Sequence, residues 1–207
     1  MPMAQPIRRW LMLAAVLLTA TAAQAQPYTV LEVPQSTGGE GVEVREFFSY
    51  GCPHCRDFEP QFSRWAEGMG ERIEVVHTPV TFGRDSWRLL SRAYYAAEAL
   101  RILDTTHGAM FEAIHDHGRR FRRPEDVAAF FAEVADVAEA DALAAINGFA
   151  VGASVNRAER LVAAYGVRGT PAVGVAGRYL IDVRAAGGQQ GMLEVAEGLV
   201  EEAGDAP

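Results

Sequence analysis

The sequence predicts an α/β fold interrupted by a block of helices, and three observations carry this. Strand-like patterns flank a helical stripe in the first third of the chain, only helical patterns run from about Arg84 to Gly152, and strand patterns return after Gly166. Both cysteines of the chain, Cys52 and Cys55, fall where a strand runs into a helix. Length sets the scale: roughly 180 residues remain once an N-terminal export signal is set aside, enough for one core with an insertion.

The chain opens on a secretory pattern. Arg8 and Arg9 form a basic n-region, Trp10 to Ala20 an apolar run too short to span a bilayer comfortably, and Ala23-Gln24-Ala25 an A-x-A cleavage site. Residues 1–25 are therefore expected to be removed, with the mature chain starting at Gln26. The surroundings of the arginine pair are otherwise unlike a twin-arginine signal, which favours Sec export to an oxidising compartment; an uncleaved anchor is the alternative. Removing Arg8 and Arg9 from nineteen basic residues, against twenty-seven acidic ones, moves the formal charge from −8 to −10 and argues against a nucleic-acid partner. All nineteen basic residues are Arg, a bias of genome composition without functional content.

A short strand is predicted at Tyr28 to Val33, then a loop through Ser36-Thr37-Gly38-Gly39. Val42-Glu43-Val44-Arg45-Glu46-Phe47-Phe48 is rich in β-branched and aromatic residues and reads as a strand; Ser49-Tyr50-Gly51 is a tight turn. Phe58, Phe62 and Trp65 recur at helical spacing, and Gly68 and Gly70 close that helix. Ile73 to His77 reads as the next strand, with its exit at Pro79 and Phe82-Gly83. In the helical block, Trp87, Leu90, Tyr94 and Ala97 make one stripe, Met110, Phe111 and Ile114 a second, and Pro124 opens a third with Val127, Phe130, Phe131 and Val134. A longer helix from about Val151 ends at Gly166, a C′ glycine. Ala172 to Val175 and Tyr179 to Val183 are strands joined by a turn at Gly177, and an amphipathic helix from about Met192 to Glu202 closes the chain. The helical block is assigned to residues 84–152, and the α/β domain to 26–83 and 153–207.

Chemistry is concentrated in Cys52-Pro53-His54-Cys55. Two intervening residues bring the sulfurs within bonding distance on one helical turn, so a disulfide can form and open without refolding the domain. Cys52 sits at the helix N-terminus, where unpaired N–H groups and the macrodipole favour a thiolate, while Cys55 lies one turn in and is more buried. Pro53 suits a first-turn position because its missing N–H would be unsatisfied there anyway. His54 adds a donor and, when protonated, a cation beside the sulfur. Half of a zinc site is the first competing reading, but no second Cys pair closes it, so no metal is assigned. A purely structural disulfide is the second, and so short a loop gains little closure entropy.

The stretch Glu46 to Cys55, together with Gly166-Val167-Arg168-Gly169-Thr170-Pro171-Ala172 leading into Gly177-Arg178-Tyr179, resembles the DsbA family of periplasmic thiol oxidases over nearly the whole mature chain. The resemblance implies a thioredoxin-like fold with an inserted all-helical domain, in agreement with the independent pattern reading. It also implies that Pro171 is cis, presenting the Thr170 backbone beside the cysteines to an extended substrate strand. By the same resemblance Glu46 is an acidic residue buried beneath the disulfide that helps to move the proton of the second thiol. In well-known members a lysine lies near it on the adjacent strand. Counting back from Phe82 puts His77 at that place, a group that titrates near pH 6.5 where a lysine would stay charged.

The expected function is therefore that of a monomeric periplasmic thiol:disulfide oxidoreductase. It would donate its Cys52-Cys55 disulfide to unfolded exported proteins through a mixed disulfide, and use no metal or organic cofactor. The resemblance implies reoxidation by a DsbB-like, quinone-linked membrane partner. A disulfide isomerase or reductase kept reduced is the nearest alternative, disfavoured because only about fifteen residues separate the signal from the core and leave no room for a dimerisation domain. A peptide-binding chaperone with an incidental disulfide is a further alternative. His107, His115 and His117 with Glu112 could be drawn as a metal site, but His115 and His117 do not share a helix face, so all are taken as surface or helix-end histidines. Arg119, Arg120, Arg122 and Arg123 are read as a solvated turn in which some neutralise a helix C-terminus, with an anionic-partner site as the alternative, and Trp87, Tyr94 and Phe111 as helical-domain core.

Overall fold

Strand β2 (Val42–Phe48) organises the molecule, because its two faces serve different layers. The structure, a computed structural model, describes residues 26–204; the expected signal, residues 1–25, lies outside them. β2 pairs in parallel with β3 (Ile73–Pro79) and antiparallel with β4 (Ala172–Val175), which pairs with β5 (Tyr179–Asp182). β5 in turn pairs with β1 (Tyr28–Val30), giving the order β1-β5-β4-β2-β3. A parallel pair needs a crossover, and helix α1 (Pro53–Met69) with the 3-10 turn Gly70–Arg72 supplies it.

On one face of the sheet, α1 and the last helix, α7 (Gln189–Gly204), bury Phe58, Phe62, Met192 and Leu199 against Val44, Val173 and Ile181. On the other lies α6 (Phe149–Tyr165), whose Tyr165 ring packs on Phe47 with centroids 4.9 Å apart. Gly174 opens the space for that ring, since a Cβ there would stand 2.6 Å from Tyr165 Cε1. This second face also carries a buried ion pair, Arg45 to Glu43 at 2.8 Å, with a further bond from Arg45 to Thr78 Oγ1 at 2.7 Å.

The helical block consists of α2 (Asp85–Leu100), α3 (Leu103–His115), α4 (Pro124–Ala135) and α5 (Glu139–Asn147). Its core of Tyr94, Met110, Phe111, Val127 and Phe131 is continuous with Phe48, Tyr50, Cys52 and Cys55. The cysteines thus lie in the seam between the block and the sheet. Edges differ slightly from the sequence expectation. β1 stops at Val30, and beyond it the Leu31 N–H donates to the Arg178 carbonyl and the Gln35 N–H to the Gly177 carbonyl of the hairpin turn. α6 begins at Phe149 rather than Val151, and Pro60 is held inside α1, where its missing N–H leaves the Arg56 carbonyl without a donor from that position.

The β4–β5 turn has left-handed backbone at both central residues, Ala176 (φ 53°) and Gly177 (φ 65°). A Cβ on Gly177 would collide with the Gln35 carbonyl oxygen, whereas Ala176 carries its Cβ in this conformation at a cost. Replacement Ala176→Asn is expected to raise stability by about 0.5–1 kcal/mol, and Gly177→Ala to lower it by at least ~1 kcal/mol, as read from urea unfolding midpoints.

Candidate active site

The turn between β2 and α1 is built by Ser49. Its Oγ accepts the Gly51 N–H at 3.2 Å and its carbonyl the Cys52 N–H at 3.0 Å. Gly51 is required, since a Cβ would stand 2.7 Å from the Trp87 Nε1 that packs on it. Cys52 is then the N-cap of α1, with extended backbone (φ −102°, ψ 115°), and Pro53 occupies the first helical position. The Cys52 carbonyl accepts the N–H groups of Cys55 and Arg56, closing the first turn.

The two thiols meet different surroundings. Cys52 is 7 % exposed and Cys55 fully buried. The hydrogen bond from Cys55 is the main influence that brings the Cys52 thiol down to about 5, against the desolvation that burial imposes; Thr170 and the N–H groups of Cys55 and His54 add to it. Cys52 Sγ also lies 3.5 Å from the Thr170 carbonyl, and the Thr170–Pro171 peptide beside it is cis. Burial pushes the Cys55 thiol far up, and the Cys52 contact and the charge of Glu46 push it further. Both cysteines are free thiols here.

Beneath Cys55 lie two carboxylate–histidine pairs. In the parallel register Glu46 stands opposite His77, and His77 Nδ1 is 2.8 Å from Glu46 Oε2. Glu46 is 1 % exposed and its Oε1 has no partner among the described residues. Burial alone would lower the His77 pKa, but the Glu46 hydrogen bond and the charges of Glu46 and Glu59 raise it above its ordinary value. Glu59, one turn beyond Cys55 on α1, lies 3.4 Å from His107 Nε2 and accepts the Ser63 hydroxyl at 2.7 Å. Desolvation opposes its ionisation, yet His107, Ser63 and the charge of His77 hold its carboxyl at about 2. The two imidazole centroids are 5.0 Å apart. His77, His107 and Glu59 line a cavity of about 480 Å³ that Glu46 does not reach.

Of the residues singled out in the sequence, Cys52, Cys55, Pro53, Thr170 and Pro171 converge on one point, with Glu46 and His77 below it. His54 is exposed, and its ring makes no hydrogen bond among the described residues; its carbonyl accepts Gln189 Nε2 at 2.8 Å. The reading of His107 as a surface histidine is wrong: it is mostly buried against Glu59, and its Nδ1 is 2.8 Å from the Tyr50 hydroxyl. His115, at the end of α3, is turned inward to the Tyr50 carbonyl at 2.8 Å. Glu59 was legible as the i+4 neighbour of Cys55, whereas Tyr50 and Gln189 carried no sequence signal.

A helix-terminal Cys-Pro-His-Cys facing a cis-proline loop, on a mixed sheet with a helical insertion, defines the class of thioredoxin-fold dithiol–disulfide exchange proteins. Residues 43–197 match the DSBA-like thioredoxin domain, and the chain belongs to that family. It is 35% identical over 198 residues to the thiol:disulfide interchange protein DsbA of Pseudomonas aeruginosa, covering 92% of each chain, and 36% identical over 171 residues to that of Azotobacter vinelandii, covering 82% of this chain and 78% of the relative. Among solved structures it resembles Pseudomonas aeruginosa DsbA (TM-score 0.79, 33% identity, 86% of this chain and 92% of the other) and the oxidoreductase DsbA from Xylella fastidiosa (TM-score 0.80, 28% identity, 86% and 96%). The chain is a thiol:disulfide oxidoreductase with a thioredoxin-like fold.

Because the Cys52 pKa is depressed on folding, its ionisation stabilises the folded dithiol above the unfolded-state pKa, and that stabilisation is lost as pH falls through about 5. The disulfide form has no such thiol. The melting temperature of the reduced protein relative to the oxidised one is expected to climb between about pH 4 and pH 8. Alkylation of Cys52 by iodoacetamide should show a midpoint near 5.

Proposed function

We propose that the chain is an oxidase of exported proteins that acts through a mixed disulfide on Cys52. The observation that supports this best is the inequality of the two thiols, one held at about 5 and the other buried and driven upward. A substrate thiolate attacks Cys52 Sγ, a substrate–Cys52 bond forms, the Cys52–Cys55 bond breaks, and the electron pair leaves on Cys55. A second substrate thiolate attacks the substrate sulfur of the mixed disulfide and expels Cys52 as thiolate. Substrate is oxidised by two electrons and the enzyme disulfide is reduced. The low pKa of Cys52 makes it the better leaving group and stabilises the reduced enzyme, so the disulfide is strongly oxidising.

Expulsion of Cys55 calls for a proton in a place without solvent access. His77, bonded to Glu46 and bordering the cavity, suits the supply: a proton passes from His77 Nδ1 to Glu46 Oε2, and the carboxyl so formed turns and gives that proton to Cys55 Sγ, returning to the carboxylate. Reoxidation reverses the path. Thr170 and Pro171 would hold the extended substrate by main-chain pairing, and His54 and Pro53 shape the terminus at which Cys52 ionises. No cofactor beyond the disulfide is assigned. The protein would work as a monomer in the periplasm after Sec export and cleavage near Ala25, reoxidised by a DsbB-like membrane partner.

In Cys55→Ser, mixed disulfides with exported proteins should accumulate, whereas Cys52→Ser should form none; the reverse pattern, read on non-reducing gels, would reverse the assignment. His77 has a raised folded pKa, so as donor it is competent at low pH and fades as pH rises through a value above 6.5. Exchange rate against pH for wild type should therefore bend in that range, while His77→Lys stays flat and Glu46→Gln is slow throughout. Superimposable wild-type and His77→Lys profiles would sink the relay.

A further inference from the structure

In a chain with a formal charge of −8, four arginines gather beside the nucleophile. A cavity of about 270 Å³ opens at Gly51, next in the chain to Cys52. Its floor is apolar, made by Trp87, Leu90, Ile114 and Phe121, and Arg119, Arg120 and Arg122 stand around it. Arg119 is spent inside the fold: it pairs with Glu133 at 2.6 Å and lies over the rings of Phe121 and Phe130. Arg84, the fourth, stacks on Trp87 at 4.5 Å. Arg120 and Arg122 are exposed, and neither has an ion-pair partner among the described residues.

Two of the nearby acids, Asp116 and Asp126, are engaged elsewhere, while Asp85 and Glu125 are exposed and make no ion pair among the described residues. Asp116 binds Arg56 at 2.8 Å, Asp126 accepts the backbone N–H groups of Arg122 and Arg123 at the start of α4, and no carboxylate lines the cavity. Two exposed guanidinium groups without ion-pair partners, beside an apolar floor that extends to Gly51 next to Cys52 in the chain, are complementary to one kind of occupant.

We infer that this cavity is a substrate subsite selecting polypeptide segments in which an apolar side chain flanked by acidic residues lies close to the reacting cysteine. The inference rests on the exchange reading proposed above. The apolar side chain fills the space over Trp87 and Phe121, and the acids meet Arg120 and Arg122. Recognition is then biased by charge at the flank, while main-chain pairing at Thr170 stays indifferent to sequence. Because the pairs are at the surface, the bias weakens as salt shortens the range of the attraction.

The test uses dithiol peptides identical except for a Glu-Leu-Glu or a Lys-Leu-Lys stretch, placed before or after the reacting cysteine, and the full oxidised protein. Wild type should oxidise the acidic peptide roughly three- to tenfold faster in kcat/KM in at least one placement, as expected for two exposed ion pairs. Raising salt should shrink that ratio. The double variant Arg120→Glu with Arg122→Glu should abolish or invert the preference. A second double variant, Arg64→Glu with Arg160→Glu, makes the same charge change at exposed positions outside the cavity and should keep it. Reaction with neutral dithiothreitol should be equal in all three proteins. No preference in either placement, or equal loss in both variants, would overturn the inference. So would absence of preference with phosphatidylglycerol vesicles bound by wild type and not by the Arg120/Arg122 variant, which would make the patch a membrane contact. A wild-type protein inert towards dithiothreitol would overturn the exchange reading and this inference with it; one active on dithiothreitol but blind to peptide charge would overturn this inference alone.

Discussion

Strand β2 becomes helix α1 within four residues, and that junction governs the chemistry. It leaves one sulfur at the helix terminus, where N–H donors have no intrahelical partner, and carries the other one turn inward to a position with no solvent. The inequality of the two thiols begins with that placement, which buries Cys55 and sets its thiol to donate to Cys52, the largest influence on the Cys52 sulfur, with the terminal N–H groups adding to it. The side chains enlarge it: Glu46, on the face of β2 that looks toward α1, disfavours a charge on Cys55, and Cys55 supports the charge on Cys52.

The helical block has a part in this beyond covering the sheet. Two histidines on α3 hold Tyr50, His107 at the hydroxyl and His115 at the carbonyl, and Tyr50 stands two residues before Cys52. Arg56, one residue after the pair, is tied to Asp116 just past the end of α3. The active-site turn is therefore gripped on both sides by one helix of the insertion. Gln189 secures the first turn of α1 from the opposite side through the His54 carbonyl, itself braced by Gln61.

Much of this was legible in the sequence because it is local. The run from Val42 to Phe48, the spacing of Phe58 and Phe62, the cysteine pair and the Thr-Pro before a late hairpin each declare themselves within a dozen residues. The Glu46–His77 pairing came through the family resemblance and a count back from Phe82, and the parallel register of β2 and β3 sets the two residues opposite one another. The His107–Glu59 contact was out of reach, because helical periodicity tells which face of α3 is apolar and nothing about which helix that face will meet. Judging His107 by its angle to His115 and His117 asked whether the histidines see one another, when what mattered was a carboxylate on α1.

Cys52, the nucleophile of the proposed exchange, is recessed, with 7 % of its surface open to solvent and the Thr170 carbonyl alongside its sulfur. A thiol fixed on a rigid, convex protein surface cannot be brought down to it, since the neighbouring loop would strike the client first. A strand of chain still lacking tertiary structure can. On the exchange reading proposed above, depth therefore acts as a clock: a cysteine in a segment without tertiary structure can reach the sulfur, and one that its own domain has closed around cannot.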